Sequence, residues 1–262
     1  MLSNLRRNYW IPNANVAARS IISNCSICRR QRGKLLEQKM ADLPFERITP
    51  DLPPFSNVGV DYFGPVEGQC GSGWAFSAVG TVEGRLAKKK GILMDLSAQN
   101  LVDCSRKYGN KGCKGGSAHE ALWYFMLNHG IDSEKGYPYE AKDAACRYNP
   151  EYKAYNCNSI ISVKNNESSL QKFLVIFGPT AVSVHSSLPG FYYYKSGVFS
   201  DPACTGPVDH GVLLVGYSND GVSDYWIVKN SWGTRWGEDG YMRIVRNKNM
   251  CGIATFGVTP AC

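Results

Sequence analysis

From Trp74 to Gly91 the sequence WAFSAVGTVEGRLAKKKG sets Phe76, Val79, Val82 and Leu86 at intervals of three and four, the repeat of one helix face. Lys88, Lys89 and Lys90 crowd its last turn, where cations offset the helix dipole, and Gly91 supplies the stop. A shorter helix is predicted from Gln99 to Cys104, and a third over Ser117 to Gly130, ended by Gly130. Beyond Ser159 the texture changes. AVSVHSS, GVLLVGY, DYWIVKNSW and GYMRIVRN are β-branched or aromatic runs between turn residues, which predicts strands. Helices first and strands second predict an α+β protein with two lobes.

Residues before this region read differently. LPFERITPDLPPFSNVGVDYFGPV is proline-rich and loop-like, and the change of texture sets a boundary between Pro65 and Gln69. The expected division is therefore 1–66 and 67–262. The whole chain has 262 residues, 44% apolar and 19% charged, the balance of a folded protein. Its net charge of +7 is concentrated up to Lys39, where Arg6, Arg7, Arg19, Arg29, Arg30, Arg32 and Lys34 face one acid, Glu37. A basic arm of this kind is more often a solvated face than a nucleic-acid contact. Ten cysteines suit an oxidising compartment, yet MLSNLRRNYW lacks the apolar core of a secretory leader. No apolar run is long enough to span a bilayer.

The chemistry lies in six stretches: GQCGSGWAF (68–76), LSAQNLVDCS (96–105), GNKGCKGG (109–116), GIDSEKGYPYEA (130–141), DHGVLLVGY (209–217) and YWIVKNSWGTRWGEDGYMRI (225–244). In this order and spacing the chain resembles the papain family, nearest the cathepsin L/S/K group, over residues 68–262. The resemblance implies a papain-like two-lobed α+β fold, a helical lobe beside a β-barrel-like lobe, with residues 1–66 as an irregular extension. It implies a cysteine endopeptidase lineage without metal or cofactor, acting as a monomer on peptides and proteins and bound by cystatin-type inhibitors. Family resemblance also implies a lysosomal or extracellular location.

Roles carry over residue by residue. His210 would be the general base, with Gly211 allowing close backbone packing. Asn230 would orient the imidazole and Trp232 would shield their bond from water. Gln69 and the N–H of residue 73 would form an oxyanion hole. Gly115 and Gly116 resemble the rail along which an extended substrate lies. Ser117, Ala118, Ser183, Val208 and Phe256 would line the pocket for the second residue upstream of the cut, with Phe256 at its floor. The implied disulfides are Cys70–Cys113, Cys104–Cys146 and Cys204–Cys251; Cys157 resembles a free thiol of some relatives, and Cys262 is left over. His119, His129 and His185 match no role and read as surface or packing residues, and Tyr192 to Tyr194 as strand and groove aromatics.

One position departs from the pattern. Where the family carries its attacking cysteine, this chain has Gly73. Glycine has no atom that attacks a carbonyl, Ser72 is expected to point elsewhere, and Cys70 is expected in a disulfide. Loss of such a nucleophile leaves only about 10³–10⁴-fold acceleration over water. The expectation is an impaired or inactive peptidase, or a pseudoprotease that binds peptides or inhibitors. An Asn166-Glu-Ser sequon accepts glycan only in the secretory route.

The first sixty-odd residues resemble the end of a zinc module, the linker and the opening core strand of a BEL/Pao-type retroelement integrase. Cys25 and Cys28 supply two zinc ligands of the four required, and no histidine precedes His119. Asp61 would be one of three metal-holding carboxylates whose partners are missing downstream. Integrase chemistry is therefore not expected, and a nucleic-acid-binding chimera is the remaining rival.

Overall fold

The computed structural model describes residues 70–155, 157 and 159–261. Expectations for the basic arm, Cys25, Cys28, Asp61, Gln69, the boundary near residue 66 and Cys262 fall outside those residues.

The long helix forms where its pattern placed it. Helix α1 spans Gly73–Lys90, and Gly91 (φ 66°) ends it in the left-handed region, its N–H donating to Ala87 O. Val79, Val82 and Leu86 are buried as the spacing implied, but the helix also buries a face of small residues. A Cβ on Gly80 would lie 2.6 Å from Leu213 Cδ2, and one on Gly84 2.5 Å from Pro179 Cγ. Those glycines let α1 press against the second lobe while its valines face the first. Helix α2 (Ala98–Cys104) begins at Ser97, whose hydroxyl accepts from Asn100 N, and α3 (Ala118–Leu127) begins at Ser117, which accepts from His119 N. Helix α3 stops at Leu127, before Gly130, because Asn128 already caps it and His129 (φ 56°) turns the chain. His129 is exposed, as read from the sequence. These helices enclose a core of Val79, Leu101, Leu122, Phe125 and Ile131.

The rest of the chain is mainly sheet. Strands β1 (Ile131–Asp132) and β2 (Lys153–Tyr155) form a small antiparallel pair. A seven-stranded sheet combines β3 (Ile160–Lys164), β4 (Thr180–Val184), β5 (Val198–Phe199), β6 (His210–Asn219), β7 (Asp224–Lys229), β8 (Tyr241–Val245) and β9 (Phe256–Pro260). Its order is β3-β9-β4-β6-β7-β8-β5, antiparallel except for the β5–β8 edge. A second core of Val212, Leu214, Trp226, Val228, Met242 and Ile244 sits under it. The arrangement is the α+β, two-lobed one expected.

One helix was not foreseen among the strands. Helix α4 (Glu167–Phe177) begins where Asn166 Oδ1 accepts from Ser169 N at 2.7 Å, and it buries Leu170 and Leu174 on one face. Glu167 adds a tertiary anchor by accepting from Trp226 Nε1 at 3.0 Å and Asn247 N at 2.7 Å. Tyr192 ends a single-turn helix, α5 (Pro189–Tyr192), rather than lying in a strand, and Tyr194 is buried.

All three implied disulfides form, with Cα–Cα separations of 4.3 Å for Cys70–Cys113 and 4.7 Å for Cys104–Cys146 and Cys204–Cys251. Cys157 corrects its expectation. It is disulfide-bonded rather than free, and with the other six described cysteines paired to one another its partner lies outside the described residues.

Candidate active site

Strand β6 opens with His210, and α1 opens with Gly73 directly against it. A Cβ built on Gly73 would fall 2.8 Å from His210 Cε1, 3.2 Å from His210 Nδ1 and 2.9 Å from Gly211 O. Gly211 makes this approach feasible, since a Cβ there would lie 3.0 Å from Trp74 N and Cα. The close backbone packing expected at Gly211 is present.

His210 is held from its far side. Its Nε2 lies 2.8 Å from Asn230 Oδ1. A carbonyl oxygen only accepts, so Nε2 carries the proton and the Nδ1 lone pair faces the head of α1. Asn230 is buried behind β7, and its Oδ1 also accepts from Ser231 N at 2.8 Å. Trp232 covers the pair, its ring 5.0 Å from the imidazole and tilted by 34°. Phe191, Tyr192 and Trp236 pack around Trp232 in turn. Burial holds the His210 imidazolium below the usual histidine range, opposed in part by the Asn230 bond and the Asp209 charge.

Ser72 occupies the N-cap of α1 without capping it. Its hydroxyl is buried and engages Tyr139 Oη and Cys70 O. It therefore points away from His210, as expected, and leaves the first N–H groups of α1 without a side-chain acceptor. Cys70 is consumed by its disulfide.

The residues expected to bind substrate lie on several different elements. Gly115 has φ 105° and open space where a Cβ would stand, whereas a Cβ on Gly116 would lie 2.7 Å from Trp74 Cε2. Gly115 thus leaves its backbone unobstructed, and Gly116 packs closely against Trp74 of α1. Ala118 and Phe256 both border the helical core. In the sheet, Ser183 pairs with Gly211, and continuing the β4–β9 register sets it opposite Phe256. Val208 is 36% exposed and borders a depression of about 700 Å³ with Asp201, Lys248, Met250 and Thr255. Neither Gly73 nor His210 lines that depression.

Residues 65–261 match the papain family of cysteine proteases. The chain belongs to that family. Cathepsin S of Mus musculus is 44% identical over 238 residues, covering 88% of this chain and 70% of its own length. Cathepsin S of Bos taurus is 50% identical over 197 residues, 74% of this chain and 60% of its own. Procathepsin L of Rattus norvegicus is 46% identical over 200 residues, with the same two shares. Among solved structures, digestive procathepsin L 3 of Tenebrio molitor superposes with a TM-score of 0.72 at 45% identity, covering 75% of this chain and 65% of that one. The chain thus carries a cathepsin-like papain-family domain and spans 60% of the length of two of these cathepsins.

Two further histidines make contacts that carried no signal in the sequence. His119, read as surface or packing, sets its ring 5.8 Å from Phe256 and accepts from Trp123 Nε1 at 3.2 Å. His185 holds the segment leading into His210: its Nδ1 donates to Pro207 O at 2.9 Å and lies 3.3 Å from Asp209 Oδ2. Burial acts to raise the Asp209 carboxyl, but donors from Ser187 and Ser186 outweigh it and hold it below the usual range. Contacts across 22 and 24 residues leave no local pattern to read.

Proposed function

We propose that this domain is a cathepsin-derived peptide-binding cleft that lacks cysteine-dependent peptidase activity. One observation supports the reading above the others: the residue that meets the lone pair of His210 is Gly73, with the imidazole 2.8 Å from where its first side-chain atom would stand. The proposed roles are His210 as base, Asn230 as its orienting partner, Trp232 as their shield and Gln69 as an oxyanion donor. Gly115 and Gly116 would carry the substrate backbone, and Ser117, Ala118, Ser183, Val208 and Phe256 would receive the second upstream side chain. Three disulfides fit an oxidising compartment such as those of lysosomal or secreted cathepsins.

The test is turnover of a dipeptidyl fluorogenic amide. The wild-type chain is expected to show none that a thiol-directed epoxide abolishes, while retaining affinity for non-electrophilic peptides or a cystatin-type inhibitor. Gly73→Cys is expected to gain epoxide-sensitive turnover, provided the imidazole and the Gly211 carbonyl, 2.9 Å from the Cβ position, both give by a few tenths of an ångström. Epoxide-sensitive hydrolysis by the wild-type chain would overturn the reading.

A further inference from the structure

The imidazole of His210 is oriented, shielded and directed at the head of a helix, although no side chain at position 73 receives it. We propose that the His210–Asn230 pair activates water instead, giving the domain a thiol-independent esterase activity toward activated esters of N-acylated amino acids. This rests on the site described above and adds an activity to a cleft otherwise read as binding only.

Several features of the site make the step feasible. The Asn230 bond leaves Nδ1 unprotonated, and Nδ1 stands 3.2 Å from the Cβ position of Gly73. No side chain at position 73 competes for the Nδ1 lone pair, so a water entering from the cleft beyond that Cβ position would be its hydrogen-bond partner. Burial lowers the proton affinity of His210, so the base is neutral at physiological pH. The Ser72 hydroxyl is turned to Tyr139 and Cys70 O and caps nothing, and Ala75 N and Phe76 N donate to Ser72 O, so the N–H groups of Gly73 and Trp74 and the dipole of α1 are the ones that would meet a developing oxyanion.

The step balances without another reactant. Water oxygen bonds to the ester carbonyl carbon as one water proton moves to Nδ1, and the carbonyl oxygen takes the charge beside the α1 N–H groups. The tetrahedral intermediate then expels the alcohol or phenol, which recovers the proton from Nδ1, leaving the carboxylic acid. Amides are not expected to react usefully, because their nitrogen leaves only after full protonation and no thioester divides the barrier. General-base assistance of this kind contributes about 10²–10⁴-fold.

Among the described residues the charged group acting on His210 is Asp209, itself bonded to Ser186 and facing His185; α1 presents no acid in its first turn, and Asn230 and Trp232 are neutral. The rate should therefore rise with pH and level off, with a midpoint below the ordinary histidine value of about 6.5.

The experiment measures hydrolysis of a benzyloxycarbonyl-leucine p-nitrophenyl ester by the full chain. Expected are saturation, insensitivity to iodoacetamide, a slower rate in deuterium oxide, and no acyl adduct by intact mass spectrometry. His210→Gln should remove the saturable rate and Asn230→Ala should reduce it at least tenfold and displace the pH midpoint. His129→Gln, at an exposed imidazole, should change nothing. Should His210→Gln fail to fold, competitive inhibition of the wild-type ester rate by a non-electrophilic N-acyl peptide amide, together with the Asn230→Ala midpoint, decides the matter. A rate that survives His210→Gln, falls with His129→Gln, or never saturates would overturn the inference and leave the peptide-binding reading intact. An acyl adduct mapped to a cysteine would overturn both.

Discussion

Two glycines meet at the head of α1. Gly211 is required by packing: any Cβ there would press on the Trp74 backbone at 3.0 Å, and a helix backbone yields less readily than a side-chain tip. Gly211→Ala is expected to lower unfolding free energy by about 1–3 kcal/mol in urea titrations, as other overpacked sites do. Gly73 is packed at least as tightly, since a Cβ there would fall 2.8 Å from His210 Cε1 and 2.9 Å from Gly211 O, so its identity bears on packing as well as on chemistry. Motif register alone made that position legible. The pairing of His119 with Phe256 and of His185 with Asp209 was not, because single histidines carry no periodic signal and their partners come from distant segments.

At the scale of elements, α1 carries an ionisable group in an apolar setting. Glu83 is 1% exposed within it and accepts from Leu96 N at 2.8 Å. Burial raises its carboxyl to about 8; the Leu96 bond and Lys229 oppose the rise, and Asp95 and Glu134 reinforce it. A raised folded value means that the folded state holds the proton where the unfolded chain has lost it. The stabilising contribution is full below the unfolded value of 4.5 and is lost as pH climbs toward about 8. The loss runs at up to about 1.4 kcal/mol per pH unit. Glu83→Gln should match wild type near pH 4.5 and exceed it in unfolding free energy at pH 8, measured by chemical denaturation at both values. His210 acts with the opposite sign, since its lowered value costs stability as pH falls, and the wild-type-minus-variant difference isolates Glu83 from it. Helix α1 was legible because its valines repeat along one face. Helix α4 also had a pattern, with Leu170, Phe173, Leu174 and Phe177 three and four apart after an Asn cap, but its β-rich neighbours concealed it.

Across the whole molecule, the two cores meet through α1 and β6, and the disulfides tie loops to them. Cys204–Cys251 links residues 47 apart and fastens the segment before His210 to the turn that precedes β9. Removing it as Cys204→Ser/Cys251→Ser is expected to cost about 2–5 kcal/mol of stability by thermal or urea unfolding. The ester rate should fall with it, because the loop that sets His210 is no longer anchored. The family and its two-lobed α+β order were legible in the motif sequence, and the disulfide partners followed from resemblance, except at Cys157.

What the sequence determined by itself was local: which stretches repeat at helix or strand period, which caps and glycines end them, and which residue stands at position 73. Tertiary structure decided the rest. Only the folded chain sets an imidazole at the start of β6 between Asn230, twenty residues on, and the head of α1, far upstream. The physical reason is that hydrogen-bond geometry, burial and the resulting proton affinity depend on neighbours in space, which a pattern along the chain does not encode.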